Sequence, residues 1–176
     1  MTSSSLQAYE HLIRNVPDFP KPGILFKDIT PLLQNGPALR AAIDQLAEIT
    51  NDLNADLVVG VESRGFLFAA ALAYATRRGV SLVRKPGKLP ADKVRLDYAL
   101  EYGSDTIEMH SDAVQPGQRV LVIDDVLATG GTAGATAALI QQVGGLVVGA
   151  AFLIELEFLG GRVRLGDIPV RSVLKY

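Results

Sequence analysis

Residues 119–145, RVLVIDDVLATGGTAGATAALIQQVGG, constrain this chain more than any other stretch. Val120, Leu121, Val122 and Ile123 form an unbroken, mostly β-branched apolar run, the composition of a strand buried on both faces of a parallel sheet. Asp124 and Asp125 follow at once. A small-residue loop then runs from Val126 to Thr132, with glycines at 130 and 131 and hydroxyls at 129 and 132. It opens into an alanine-rich helix that Gly144 and Gly145 close.

A strand, paired acids, a loop and a helix start joined end to end have chemical meaning. A helix N-terminus carries about half a positive charge and several unpaired N–H groups, and glycine lets a phosphate approach the backbone. Ala128, Thr129, Gly130, Gly131 and Thr132 therefore read as a phosphate cradle, with two hydroxyls as additional donors. Asp124 and Asp125 are placed to accept hydrogen bonds from a neighbouring diol, as an acid does with ribose in dinucleotide folds. The implied ligand is a ribose 5-phosphate group. No Lys follows the glycines, which excludes a P-loop, and Gly130, Gly131 and Gly134 lack the spacing of the dinucleotide fingerprint. The acids also precede the glycines, whereas the Rossmann acid lies about 20 residues after them.

The rest of the chain supplies a matching frame. Its 176 residues suit a single domain. A net charge of −2 excludes a generally basic surface for nucleic acid, so an anion must be held locally. Without cysteine there is no disulfide, thiolate metal ligand or thiol nucleophile. No leader pattern and no apolar run near 18 residues is evident, so a cytoplasmic protein without membrane attachment is expected.

Leu6, Tyr9, Leu12, Ile13 and Val16 recur at helical spacing and predict a short amphipathic helix. Four prolines or glycines between Pro17 and Gly23 break it, leaving an irregular lobe with an extended piece around Ile24 to Phe26. Gly36 and Pro37 start a helix with Leu39, Ile43 and Leu46 on its apolar face. Leu57 to Val61 is a second apolar strand, followed by the polar loop Glu62–Gly65 and a helix that ends at Arg77–Gly79. That loop offers backbone donors, a hydroxyl and the Arg64 guanidinium for a second phosphate group, although a lone Arg there is more often a surface or ion-paired residue. Ser81 to Val83 forms another strand. Arg84, Lys85 and Lys88 then surround a Pro-Gly turn, a solvated basic loop or an anion site.

Between residues 94 and 110 apolar Val94, Leu96, Tyr98, Leu100 and Tyr102 alternate with polar neighbours before the turn at 103–105, and Ile107 and Met109 return. This pattern predicts a flexible β-hairpin flap. Leu146–Ile154 is a further strand, Val170–Leu174 an edge strand, and Glu155 and Glu157 read as rim charges. Strands separated by helices give an α/β fold with a mainly parallel sheet flanked by helices, and the ligand crevice belongs at the strands' carboxyl ends, after residues 61, 83 and 123.

Ile123 to Thr132 closely resembles the phosphoribosyl-diphosphate (PRPP) motif of the type I phosphoribosyltransferases. VESRGF at 61–66 resembles that family's pyrophosphate loop. FPKPGILF at 19–26 and Leu100-Glu101-Tyr102-Gly103 resemble the hood and hairpin of the family's adenine-specific members. The resemblance implies one domain over 1–176, with a hood at about 1–34 and a flap at about 86–110. It implies transfer of the phosphoribosyl group of PRPP to N9 of adenine, giving AMP and diphosphate, in a Mg²⁺-dependent homodimer. Leu25, Phe26 and Lys27 would line the adenine site, with Phe26 stacked on the purine. Arg64, Arg84, Lys85 and Lys88 would hold the diphosphate, one of the basic residues reaching in from a partner subunit. Glu101 would handle the proton on the imidazole ring. No direct protein ligand to the metal is implied, Asp124 and Asp125 being the nearest candidates. Two other readings remain at this point: a 6-oxopurine or orotate transferase, and a PRPP-sensing regulator that binds nucleic acid without catalysis.

Overall fold

The computed structural model describes residues 6–99 and 104–176, and Leu100, Glu101, Tyr102 and Gly103 lie outside the described residues. The chain divides into two compact units, Met1–Gln45 and Leu46–Tyr176.

In the first unit a 3-10 helix spans Leu6–Leu12, and β1 (Arg14–Pro17) pairs antiparallel with β2 (Leu25–Asp28), Val16 facing Phe26. The helix expected through Val16 thus stops early. Pro17 disfavours helical backbone at Val16, and the β-branched Ile13 and Val16 suit an extended chain that has a partner strand. The Asp18 carboxylate accepts the Gly23 N–H at 2.7 Å and closes the proline-rich turn between the strands. A short helix α1 (Thr30–Gln34), absent from the sequence reading, follows the Asp28 carboxylate, which accepts the Thr30 N–H at 2.9 Å. Helix α2 (Gly36–Ile49) begins where Asn35 accepts the Ala38 N–H at 3.0 Å, an N-terminal cap of the usual kind.

The second unit is built on a sheet of five parallel strands: β3 (Leu57–Val61), β4 (Gly79–Val83), β7 (Arg119–Leu127), β8 (Leu146–Glu155) and β9 (Val170–Lys175). Their order is β4-β3-β7-β8-β9. Val120, Leu121, Val122 and Ile123 have no exposed surface, as their unbroken apolar run requires at the sheet's centre. From β3 the chain proceeds through α3 (Gly65–Thr76) to one edge, and from β7 through α4 (Gly131–Gln142) toward the other. The carboxyl ends of β3 and β7 therefore flank a topological switch point, where such sheets bind ligands.

The remaining strands, β5 (Lys93–Ala99) and β6 (Ser104–His110), form the anticipated hairpin. Its described part is anchored. Val94, Leu96 and Tyr98 pack on the core cluster that includes Ala133, Ala137 and Ile140 of α4, while Ile107 and Met109 are buried within it. The alternation read from sequence is thus the alternation of a core-facing strand, and an Arg84–Glu108 bridge ties β6 to the chain after β4.

Candidate active site

Strand β7 continues through both acids to Leu127, then bends over 128–130 so that α4 starts at Gly131. Gly130 is required twice: its φ of +79° lies in the left-handed region, and a Cβ there would collide with the Gly161 carbonyl. Asp124 and the segment Val126–Ala133 line one pocket, so an acid and a helix N-terminus face the same space. The Tyr98 hydroxyl lies 3.0 Å from Thr132 Oγ1 at its margin.

The cradle is backed by a 3-10 turn, Gly161–Leu165, that sequence reasoning did not connect with it. Arg162 of this turn forms a two-pronged bond to Glu155 at the end of β8, at 2.5 and 2.7 Å. Ser172 donates to the same carboxylate at 2.6 Å. Glu155 is 3% exposed, so its reading as a rim charge is corrected: the acid closes a buried network. The Arg162 hydrogen bonds hold its carboxyl below the ordinary glutamate value, against the opposing effect of burial. Glu157 is the exposed charge expected, bonded to Lys175. An acid directly after a long apolar run, with GGRVRL a few residues on, was the available sequence signal.

Consecutive strand residues project to opposite faces. Asp124 lies with the cradle, whereas Asp125, 7% exposed at its side chain, pairs with Arg64 at 2.6 Å. The contact is one of charge proximity, since the Arg64 N–H is not aligned on Oδ2 as a hydrogen bond. Asp124 Oδ1 accepts the Asp125 N–H at 2.9 Å. Burial first, and then the charge of Asp125, raises the Asp124 carboxyl well above its ordinary value. Burial raises Asp125 too, with Arg64 opposing. Two carboxylates that resist a shared double charge are relieved by hydroxyl donors or a cation at this point. Gly65 permits the close approach of α3: a Cβ there would fall 2.7 Å from Asp124 Oδ1.

The basic loop after β4 is held by acids from two other elements. Glu62 Oε2 accepts the Lys85 N–H at 2.8 Å and lies 3.3 Å from Arg84 Nε. Burial works against the Glu62 charge, but these donors and nearby Lys88 outweigh it and its carboxyl titrates low. Arg84 also donates to the Lys88 carbonyl at 3.1 Å, with its guanidinium 5.8 Å from the Phe66 ring centre. Buried Glu108 accepts the Gly87 N–H at 3.1 Å. Lys85 Nζ is ion-paired with Asp105 of β6, while Lys88 is exposed. Glu62, Asp105 and Glu108 were not singled out from sequence, because only the pairing of distant strands brings them to this loop.

The fold thus gathers Arg64, Asp124, Asp125 and Ala128–Thr132 at the ends of β3 and β7, with Arg84, Lys85 and Lys88 at the end of adjoining β4. Leu25, Phe26 and Lys27 belong to the first unit, on β2. There Leu25 is half exposed, and half-buried Phe26 meets Phe19 edge-to-face at 5.1 Å.

Residues 30–164 match the model of the phosphoribosyl transferase domain family. The adenine phosphoribosyltransferase of Rubrobacter xylanophilus is 54% identical over 177 residues, covering 100% of this chain and 96% of that protein. The crystal structure of adenine phosphoribosyltransferase from Thermoanaerobacter pseudethanolicus superposes with a TM-score of 0.96 at 48% identity, covering 98% of this chain and 100% of that one. The Saccharomyces cerevisiae enzyme, complexed with D-2,5-dideoxy-2,5-imino-altritol 1,6-bisphosphate and adenine, gives 0.89 at 38% identity over 96% of this chain and 97% of that one.

Proposed function

The chain belongs to the phosphoribosyl transferase domain family, and we propose that it is an adenine phosphoribosyltransferase, moving the 5-phosphoribosyl group of PRPP to N9 of adenine with release of diphosphate. The observation that carries this reading is the pocket in which Asp124 faces the Ala128–Thr132 cradle at the start of α4. The near-full-length similarity to adenine-specific relatives supports the choice of base, as does the yeast enzyme's complex with adenine.

The transition state places positive charge on the ribose carbon and negative charge on the departing diphosphate, so the protein's work is positioning and electrostatics. The cradle N–H groups with Thr129 and Thr132 take the 5-phosphate, and Asp124 and Asp125 take the ribose hydroxyls. Arg64, Arg84, Lys85 and Lys88 stabilise the diphosphate. Leu25, Phe26 and Lys27 hold adenine, with Phe26 as the stacking surface. Glu101 removes the imidazole proton, a contribution on the order of 10² to 10⁴ in rate. Mg²⁺ fits the residues present, because Asp124 and Asp125 offer hard carboxylate oxygens at the carboxyl end of β7. Asp124 and Asp125 are the nearest residues that would hold the ion, and it would supply neutralisation of the diphosphate charge.

A homodimer is part of this proposal. Leu67 and Tyr74 of α3 and Val80 and Leu82 of edge strand β4 are exposed apolar residues, 51%, 89%, 44% and 38% accessible, on adjoining elements. The enzyme is assigned to the cytoplasm, where phosphorylated substrates are retained. Among the described residues no helix is long and apolar enough to cross a membrane.

The test is diphosphate release from PRPP and Mg²⁺ with adenine, hypoxanthine, guanine, xanthine, uracil and orotate offered separately. Turnover with adenine alone is expected, and Glu101→Gln should keep PRPP binding while losing most of it. Turnover only with another base would discard the Phe26 and Glu101 assignments. Binding of PRPP without turnover, together with PRPP-dependent retardation of nucleic acid, would replace the enzyme with a regulator.

A further inference from the structure

Resting on the assignment of Lys85 to the diphosphate, we propose that Asp105 is a built-in competitor for that group: its carboxylate occupies the Lys85 ammonium in the free enzyme, and diphosphate must displace it. The contact joins the loop after β4 to β6, across 20 residues of sequence. Asp105 Oδ2 is shared between the Lys85 ammonium and the Tyr98 hydroxyl, the latter at 3.3 Å. The same hydroxyl lies 3.0 Å from Thr132 Oγ1. Lys85, Asp105, Tyr98 and Thr132 therefore form one continuous polar chain between the diphosphate loop and the 5-phosphate cradle.

Burial opposes both charges of the pair. Asp105 and Tyr98 nevertheless raise the Lys85 ammonium above its ordinary value, and Lys85 holds Asp105 below its own. The side chains are 39% and 31% exposed, so solvent screens the pair and it is weak enough to exchange. A diphosphate brings several negative charges to the same cation and outcompetes one carboxylate. The displaced Asp105 keeps the Thr106 N–H bond of its other oxygen, at 2.8 Å, and so remains close to the anion that replaced it. Its negative charge lowers affinity for PRPP and for product diphosphate alike, and it favours release of the latter.

The experiment is calorimetric titration of the full-length protein with inorganic diphosphate and Mg²⁺, alongside product inhibition by diphosphate. Asp105→Asn, which keeps the shape and removes the charge, should bind diphosphate about two- to fivefold tighter, the range of a screened ion pair. Product inhibition should strengthen by the same factor. Lys85→Met should weaken binding, and adding Asp105→Asn to it should tighten binding by a smaller factor than Asp105→Asn alone, because only the repulsion of the anion, and no longer the competition for Lys85, is relieved. Unchanged or weaker binding by Asp105→Asn, with Lys85→Met still weakening it, overturns this inference and leaves the diphosphate assignment intact. An unaltered affinity in Lys85→Met removes Lys85 from the diphosphate site and the inference with it. Should Asp105→Asn fail to fold, Tyr98→Phe removes the hydroxyl that steadies the carboxylate; its other contact, Thr132, belongs to the 5-phosphate cradle and not to the diphosphate loop, so inorganic diphosphate reads the first effect. Tighter diphosphate binding is again expected, and no change overturns the inference.

Discussion

Replacing Arg162 by alanine tests whether the turn behind the cradle is held by charge. In the native protein Glu155 is nearly inaccessible and receives two hydrogen bonds from Arg162 and one from Ser172. Arg162→Ala leaves the carboxylate buried with Ser172 alone. Removing one member of a fully buried pair costs about 3–5 kcal/mol, and an exposed pair about 0–1. The Arg162 side chain is 44% exposed, so water reaches part of the vacated site and a cost of about 2 kcal/mol is expected. At this chain length that lowers the melting temperature by about 4–8 °C. The loss depends on pH in a definite sense. Native Glu155 is depressed, so its pairing stabilises the fold above the ordinary glutamate value and fades as pH falls through the lower folded value. In the variant, burial without Arg162 raises the carboxyl, so the penalty is full at pH 8 and relieved by proton uptake as pH falls toward 5. Calorimetric melting of both proteins at pH 8 and pH 5 should show a gap that narrows at the lower pH. Gly161 also abuts the Ala128 carbonyl, so the KM for PRPP should rise while that for adenine holds. Equal melting temperatures at pH 8, or a gap independent of pH, would refute the reasoning.

Gly130→Ala should lose about 1–2 kcal/mol from the left-handed backbone alone, and more from the clash with Gly161. PRPP affinity measured by calorimetry should fall at least about tenfold, because the donors of the helix start shift with the turn. Arg64→Gln removes the cation beside Asp125. It should raise the KM for PRPP by about 10- to 100-fold in steady-state assays, with the KM for adenine little changed. Chelation with EDTA should abolish turnover yet leave the melting temperature of the PRPP-free protein unaltered, as expected of a metal carried mainly by substrate. A fall on chelation would point to a resident ion.

What sequence by itself determined was local and periodic. The apolar run at 120–123, the acids after it and the glycines at 130 and 131 specify strand, turn and helix start within one continuous segment, since backbone geometry over a few residues depends on few neighbours. The same holds for Leu57–Val61 and, over the described residues Val94 to Tyr98, for the hairpin's alternation. Val16 shows where such reasoning fails: its helical spacing was overridden by Pro17 and by a partner strand nine or more residues ahead. Only the tertiary structure decided which charges meet. Arg64 with Asp125, Lys85 with Asp105 and Arg162 with Glu155 lie 61, 20 and 7 residues apart in sequence. Their pairing is set by strand order and by the depth at which each side chain leaves water. Burial is why Glu155, one of two acids at the end of the same apolar run, anchors the turn behind the phosphate cradle while Glu157 two residues on stays exposed.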